Sequence, residues 1–125
     1  MRPKSETLTG QELEIMKVIW PRGQATIREV YDDLRTRRSI AYTTVQTMMN
    51  ILETKGHLKK QPGDKAAVYA PVRPQQLVVR SMVREFVNRV FDGSARPLLV
   101  HLLKEKGLTE RERKELQRLL DKEEE

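Results

Sequence analysis

Residues 41–56 read AYTTVQTMMNILETKG, a stretch in which apolar and polar side chains recur at helical spacing. Val45, Met48 and Leu52 follow one another every three or four residues, with Ile51 beside them, which predicts one buried helical face. Gly56 favours the left-handed backbone conformation in which helices commonly end. On the opposite face the stretch carries uncharged hydroxyl and amide side chains: Tyr42, Thr43, Thr44, Gln46, Thr47 and Asn50. The segment is therefore predicted to form a helix whose outer surface is suited to hydrogen bonding.

Two helices are predicted before this segment, because two capping boxes precede it. Thr9–Glu12 and Thr26–Glu29 each place a Thr three residues before a Glu, a pattern that satisfies the first N–H groups of a helix. The first helix is expected to end at Trp20, since Pro21 disfavours helical backbone in the residue before it. The second is expected to end in a basic turn at residues 35–38.

A β-hairpin is predicted after the third helix. Residues 58–61 and 67–70 form two short strands, and the Pro-Gly turn of residues 62–65 joins them. Three helices closed by a hairpin are the pattern of a winged helix-turn-helix. Residues 1–72 are therefore predicted to form such a domain, with a small two- or three-stranded β wing.

Three further helices are predicted in residues 73–125. Pro74 suits the first position of a helix that runs to Phe91, because its missing N–H costs nothing there. Ser94 is expected to cap the next helix, which ends at Gly107, and Thr109–Glu112 is a third capping box. The fold class is thus mostly α, a winged helix-turn-helix followed by a three-helix domain.

The helix of residues 74–91 carries more apolar side chains than one face of a lone surface helix needs. We therefore expect residues 73–125 to join two copies of the chain, although three helices that merely close their own small core remain an alternative. The residues expected in this dimerisation interface are Leu77, Met82, Phe86, Val90, Leu98, Leu99, Leu102, Leu103, Leu116, Leu119 and Leu120.

The positive charge lies in the first part of the chain. The whole chain has a net charge of +6, and residues 1–73 hold 13 basic and 8 acidic residues against 11 and 10 in residues 74–125. This asymmetry favours a polyanionic partner for the first domain over a merely basic surface only in combination with the winged helix-turn-helix pattern, which predicts that the partner is double-stranded DNA. The basic residues that flank the polar helix and are expected to contact phosphates are Arg35, Arg37, Arg38, Lys55, Lys59, Lys60 and Lys65.

The chain also resembles a known family. Residues 13–20 (LEIMKVIW) with Pro21 and Gly23, residues 26–30 (TIREV) and above all residues 41–56 are similar to the penicillinase repressor family of BlaI, MecI and CopY type. The similarity continues through residues 91–94 and residues 108–120, so that it covers nearly the whole chain.

The resemblance implies a repressor that binds a palindromic operator as a homodimer through its winged helix. It also implies a membrane-sensor peptidase as an indirect partner, whose signal leads to cleavage near His101-Leu102. Penicillinase repressors carry an Asn-Phe pair at that place and this chain does not, so the resemblance does not extend to the cleavage pair. The copper-responsive branch uses cysteine pairs, and this chain has no cysteine.

Other classes of function find little support in the sequence. His57 and His101 are far apart, and no Gly-rich phosphate loop, nucleophile motif or metal-ligand spacing is present, so we expect no enzyme activity, no cofactor and no metal. No apolar run is long enough to cross a membrane, and we expect a cytoplasmic protein without direct membrane insertion. Two alternatives stay open: a small-molecule-responsive winged-helix regulator of another family, and a helical protein-interaction module without specific DNA binding.

Overall fold

The fold, seen in a computed structural model that describes residues 7–105 and 108–123, has the predicted order of elements. In the first part, helices α1 (Gly10–Arg22), α2 (Ile27–Leu34) and α3 (Tyr42–Lys55) precede strands β1 (Leu58–Gln61) and β2 (Val68–Pro71). Helices α4 (Gln75–Val90), α5 (Arg96–Lys104) and α6 (Glu110–Glu123) follow. The predicted fold class, mostly α with a small β wing, is confirmed.

The capping boxes open the helices for which they were predicted. In α1 the Thr9 hydroxyl accepts from the Glu12 amide at 3.2 Å, and the Glu12 carboxylate accepts from the Thr9 amide at 3.0 Å. The same reciprocal pair caps α2 at Thr26–Glu29 and α6 at Thr109–Glu112. Each box satisfies two N–H groups that have no partner within the helix.

Several predicted helix termini differ from the structure, among them the end of α4 at Val90 rather than Phe91. Helix α1 does not end at Trp20 but includes Pro21, because one missing N–H near a helix terminus does not prevent one more turn, and Gly23 with φ of 84° then ends it. Ser94 does not cap α5: the residue before that helix is Ala95, which provides no side-chain hydrogen bond. Helix α5 ends at Lys104, and Gly107 lies outside the described residues.

The wing is an antiparallel pair in which Lys59 lies opposite Ala70 and Lys60 opposite Tyr69. Beyond β2, Ala25 forms a bridge with Tyr69 through two backbone hydrogen bonds of 3.0 and 2.8 Å. The linker between α1 and α2 thus acts as a short third edge of the sheet. Tyr69 is consequently held by backbone neighbours on both sides.

The chain divides into two compact units, residues 1–82 and 83–125. In the first, α1, α2, α3, both strands and the start of α4 enclose a core in which Ile19, Val30, Leu34, Val45 and Leu52 are fully buried. In the second, among residues 83–105 and 108–122, Val87 alone is buried. The predicted domain division, residues 1–72 and 73–125, stays a prediction.

Candidate nucleic-acid interface

Helix α3 has one buried and one exposed face, as its sequence pattern predicts. Val45, Met49 and Leu52 are buried, at a spacing of four and three residues. The predicted inner stripe was wrong in one position, since Met49 rather than Met48 reaches the centre of the core and Met48 is only half-buried. Ile51 is exposed and therefore does not join the inner stripe.

The polar residues predicted for the outer face lie on the exposed side of α3. Tyr42, Thr43, Gln46, Thr47 and Asn50 are exposed, and Thr44 is half-buried. Their hydroxyl and amide groups can donate and accept hydrogen bonds, and this helix face carries no charge between residues 42 and 52. Such a face is compatible with the edges of base pairs in a major groove.

An aromatic and arginine cluster lies at the amino end of α3. The Tyr42 ring meets the Tyr31 ring of α2 edge to face, with 5.4 Å between the ring centroids. Arg35 and Arg28 place their guanidinium carbons 5.3 and 5.8 Å from the centre of the Tyr31 ring. These contacts stabilise both arginines beside the start of α3. Arg28 was not among the predicted site residues, because its sequence position in the first turn of α2, away from the basic turn of residues 35–38, gave no signal.

Four of the seven predicted phosphate-binding residues have carboxylate partners within the protein. Arg35 lies 3.6 Å from Asp32, and Arg37 lies 2.6 Å from Asp33. Arg38 donates to both carboxylate oxygens of Glu14 at 2.9 to 3.2 Å. The pair of Arg38 and Glu14 joins the turn to α1, the other two lie within α2 and the turn, and all three reduce the positive charge that the turn presents to solvent.

Lys55 has the most buried of these partners. Its ammonium group donates to the two carboxylate oxygens of Glu12 at 2.8 and 3.0 Å, and Glu12 is only 3% exposed. Burial by itself would raise the pKa of Glu12. The hydrogen bonds from Lys55 and from the Thr9 amide, with the positive charges of Lys55 and His57, outweigh that effect and hold the pKa below its ordinary value. Glu12 is thus a buried carboxylate that joins the start of α1 to the end of α3.

The wing carries lysines of a different kind. Lys59, Lys60 and Lys65 are exposed, and none of them forms an ion pair with another of residues 7–105 and 108–123. The Lys60 ammonium lies 5.9 Å from the centre of the Tyr69 ring. These three lysines, which we call the wing lysines, therefore leave their charge available to an external anion.

The turn that presents Lys65 depends on Gly63. A Cβ atom at this position would collide with the backbone carbonyl oxygen of Ala66, and it would also press on the Val68 side chain. Because the obstructing atom belongs to the backbone, a larger residue would displace the turn. Gly63 therefore sets the shape of the wing tip.

A side-chain hydrogen bond connects the wing to α3. The hydroxyl of Tyr69, a residue only 1% exposed, donates to Asn50 Oδ1 at 3.1 Å. Lys60, Tyr69 and Asn50 thus form a continuous series of contacts from the wing to the exposed face of α3. Tyr69 was missed as a site residue because its pattern in the sequence is that of any inward-facing strand residue.

The residues predicted for dimerisation fall into three groups by burial. Met82 packs against the core of the first unit, while Leu98, Leu99, Leu103, Leu116 and Leu120 are half-buried. Exposed members of the set are Leu77, Phe86, Val90, Leu102 and Leu119. Val83, which is 51% exposed, lies three residues before Phe86 on α4 and was missed by the sequence reasoning.

His57, His101 and Leu102, which the sequence analysis considered for other kinds of site, differ in burial. His57 is buried, whereas His101 and Leu102 are exposed on α5. Within the described residues no cluster of three or more potential metal ligands occurs. None of the described helices has both the length and the apolar character needed to cross a membrane.

Three helices, a lysine-bearing wing and a polar third helix define a winged helix-turn-helix protein. A family model described as penicillinase repressor matches residues 8–122, and the chain belongs to that family. The family predicted from residues 13–56 and 91–120 is thereby confirmed.

Several known proteins are similar to this chain. The transcriptional regulator BlaI of Mycobacterium tuberculosis is 34% identical over 109 residues, which cover 86% of this chain and 79% of that protein. The solution structure of the DNA-binding domain of the repressor BlaI matches with a TM-score of 0.53 and 31% identity, over 59% of this chain and 90% of that one. The monomeric form of Bacillus licheniformis BlaI in complex with the blaP half-operator matches with a TM-score of 0.50 and 31% identity, over 59% and 87%.

Proposed function

We propose that this protein is a sequence-specific transcriptional repressor that binds a palindromic operator as a homodimer. The observation that carries the proposal is the combination of an exposed, uncharged polar face on α3 with wing lysines that have no carboxylate partner among the residues that the structure describes. Membership of the penicillinase repressor family supports it, as does the similarity to a repressor that is bound to a half-operator. A repressor acting on a bacterial chromosome works in the cytoplasm.

The two kinds of side chain have separate roles in this proposal. Thr43, Gln46, Thr47 and Asn50 lie on the exposed face of α3 and read base edges in the major groove, with Tyr42 and Thr44 at its amino end. The wing lysines bind phosphates and position the helix without reading sequence.

The arginines and Lys55 contribute to phosphate binding in unequal measure. Arg35 and Arg37 are more than half exposed and share their charge with Asp32 and Asp33. Arg38 and Lys55 are engaged by Glu14 and Glu12, and the Lys55 side chain is only 19% exposed. We therefore assign the main phosphate contacts to the wing lysines, and a structural role to Lys55.

The exposed apolar surface of residues 83–125 supports dimerisation. Val83, Phe86 and Val90 are exposed on one face of α4, at the spacing of three and four residues that packs one helix against another. The BlaI relative bound to its half-operator is a monomeric form, so two copies of this chain suit two half-sites. The symmetry of such a dimer requires an operator with matching two-fold symmetry.

The proposal is tested by a fluorescence titration of DNA at several salt concentrations. One labelled duplex carries the sequence upstream of the gene for this protein, and a random duplex of equal length is the control. Binding to the upstream duplex at least about a thousandfold tighter, with a steep loss of affinity at high salt on both duplexes, is the expected result.

Other outcomes of this titration point to other functions. Equal and weak binding to both duplexes would contradict sequence-specific repression of its own gene. No binding at low salt would favour the second candidate, a protein-interaction module, for which the exposed apolar residues of α4 and α5 are the supporting observation. A sensor peptidase as an indirect partner stays a prediction.

A further inference from the structure

Tyr69 lies buried beneath the polar face of α3 and also contacts that face. Its ring is held by the Lys60 side chain and by strand neighbours on both sides, Lys60 and Ala25. Its hydroxyl reaches out of the core to Asn50 Oδ1 at 3.1 Å. A buried hydroxyl fixed at this position can orient any amide that it contacts.

Asn50 is the residue that receives this hydrogen bond, and it lies on the exposed face of α3. A carboxamide has an acceptor oxygen at one side and a donor NH2 group at the other. Because Tyr69 engages the oxygen from within the protein, the NH2 group is the part of the amide that turns outward. Asn50 therefore presents its donor group outward, while its oxygen accepts from Tyr69.

We propose that Tyr69 is a positioning residue that fixes the Asn50 amide, so that Asn50 donates to an acceptor atom of DNA. This inference rests on the proposed function and names the chemistry of one contact in it. Acceptors of this kind are guanine O6 and N7, adenine N7, thymine O4 and the phosphate oxygens. The same hydrogen bond links the wing to α3, because Tyr69 is part of strand β2 and its ring lies under the Lys60 side chain.

A double-mutant cycle tests the proposal in the full chain. The probes are the duplex that the wild-type protein selects from a randomised library and a random duplex of equal length. Tyr69→Phe removes the hydroxyl alone, and we expect it to weaken binding to the selected duplex by about three- to tenfold. On the Asn50→Ala background the same change is expected to have no further effect, since its target is gone.

The two sources of the acceptor are distinguished in the same titrations. If Asn50 donates to a base, Tyr69→Phe weakens binding to the selected duplex only and relaxes the preference at one base pair. If Asn50 donates to a phosphate, both duplexes lose affinity by the same factor. The proposal would be overturned if Tyr69→Phe bound both duplexes with wild-type affinity. It would also be overturned if Tyr69→Phe caused the same loss of affinity on the Asn50→Ala background as in the wild type.

Asn50→Asp tests the orientation of the amide. The aspartate can still accept from Tyr69 but has no donor to turn outward, so we expect its preference for the selected over the random duplex to fall as far as that of Asn50→Ala. A preference that Asn50→Asp kept at the wild-type level would show that no donor is needed at this position and would contradict the proposal.

Two further measurements keep stability and function apart. Ile15→Val shortens a buried side chain of α1 in the same core and is the control for a small loss of stability, with unchanged DNA preference expected. In the absence of DNA, the side-chain NH2 signals of Asn50 in an NMR spectrum are expected to shift in Tyr69→Phe. If these signals did not shift, the positioning role of Tyr69 would be overturned, whether or not the wild-type protein binds DNA. If the signals shifted but the wild-type protein bound no DNA, the proposed function would be refuted.

Discussion

The two compact units of this chain differ in how far each buries its own apolar residues. In residues 7–82 a core of fully buried side chains from α1, α2, α3 and the wing is closed on all sides by its own elements. In the described part of residues 83–125, Val87 is the only buried residue, and Val83, Phe86, Val90, Leu102 and Leu119 are exposed. The first unit thus has a core of its own, whereas the second leaves several large apolar side chains exposed.

Because of this difference in burial, we expect the first unit to supply folding stability and the second unit to supply assembly. Apolar burial contributes about 25 cal/mol per Å², so a unit that buries so little of its apolar surface gains little stability alone. A second copy of the chain would cover the same residues on both protomers. In the proposed dimer, the winged helix supplies the DNA contacts, and residues 83–125 supply the symmetry that places two of them on one operator.

The largest effect is expected from a cavity in the first unit. Ile19 is fully buried, and Ile19→Ala should lower the free energy of unfolding by about 2–5 kcal/mol. Thermal denaturation followed by circular dichroism measures the loss. Lys17→Ala, which changes an exposed residue of the same helix, is the control and should have almost no effect. A small loss for Ile19→Ala would show that the first unit does not depend on its own core.

Truncation in the second unit should act on assembly rather than on folding. Phe86 is 41% exposed, and Phe86→Ala should weaken dimerisation by about 2 kcal/mol, or roughly thirtyfold in Kd, without affecting the core of the first unit. Sedimentation equilibrium over a range of concentrations measures this change. Arg84→Ala, a change at an exposed polar position of α4, provides the control. If wild type and Phe86→Ala were both monomers at tens of micromolar, the comparison of the two units would fail.

A smaller effect with a defined pH dependence is expected at Glu12. Its pKa is lower in the folded state than its ordinary value of 4.5, so the unfolded chain binds the proton more tightly. The stabilisation is therefore present above that value and is lost as the pH falls through the folded-state pKa. Glu12→Gln should cost about 1.5 kcal/mol at neutral pH.

Denaturant unfolding of both proteins between neutral and acidic pH checks this expectation. The difference between wild type and Glu12→Gln should narrow in acid, because the wild-type carboxylate becomes neutral as well. Glu29→Gln, which keeps a capping box but alters an exposed residue, is the matched control. A difference that stayed constant with pH would argue against the ion pair with Lys55.

The smallest effect, and the one confined to DNA binding, is expected at the wing. Lys60→Ala should flatten the slope of log K against log salt concentration by about one, on specific and random duplexes alike. Arg38→Ala should change the slope less, because Glu14 already neutralises Arg38 in the free protein. Equal slopes for wild type and Lys60→Ala would remove this lysine from the phosphate contacts.

Much of the first unit could be predicted from local patterns. The capping boxes of Thr9 and Thr26, the helix end at Gly56 and the strand at residues 58–61 are each set by a few neighbouring residues, and the structure contains them all. The choice between Met48 and Met49 could not be predicted, because both fit a helical stripe and only the packing of α1 and α2 against α3 decides between them. Pro21 likewise lies inside α1 since the following Gly23 provides a better end.

The functional roles of single charged residues were harder to predict. Lys55 and Lys60 look alike in the sequence, yet Lys55 contacts a buried carboxylate 43 positions away and Lys60 faces solvent. The hydrogen bond from Tyr69 to Asn50 also joins residues that are 19 positions apart. Contacts over such distances depend on the tertiary fold, and no local pattern reveals them.

The most direct test of the central claim is the selection of DNA by the 125-residue chain from a randomised duplex library. A dimer that reads DNA through α3 should recover an inverted repeat whose two half-sites are centred one helical turn, or a small multiple of it, apart. Sedimentation of the complex should show two chains on each duplex. Recovery of a single half-site bound by one chain would contradict dimeric recognition, and recovery of no preferred sequence would contradict the proposed repressor function itself.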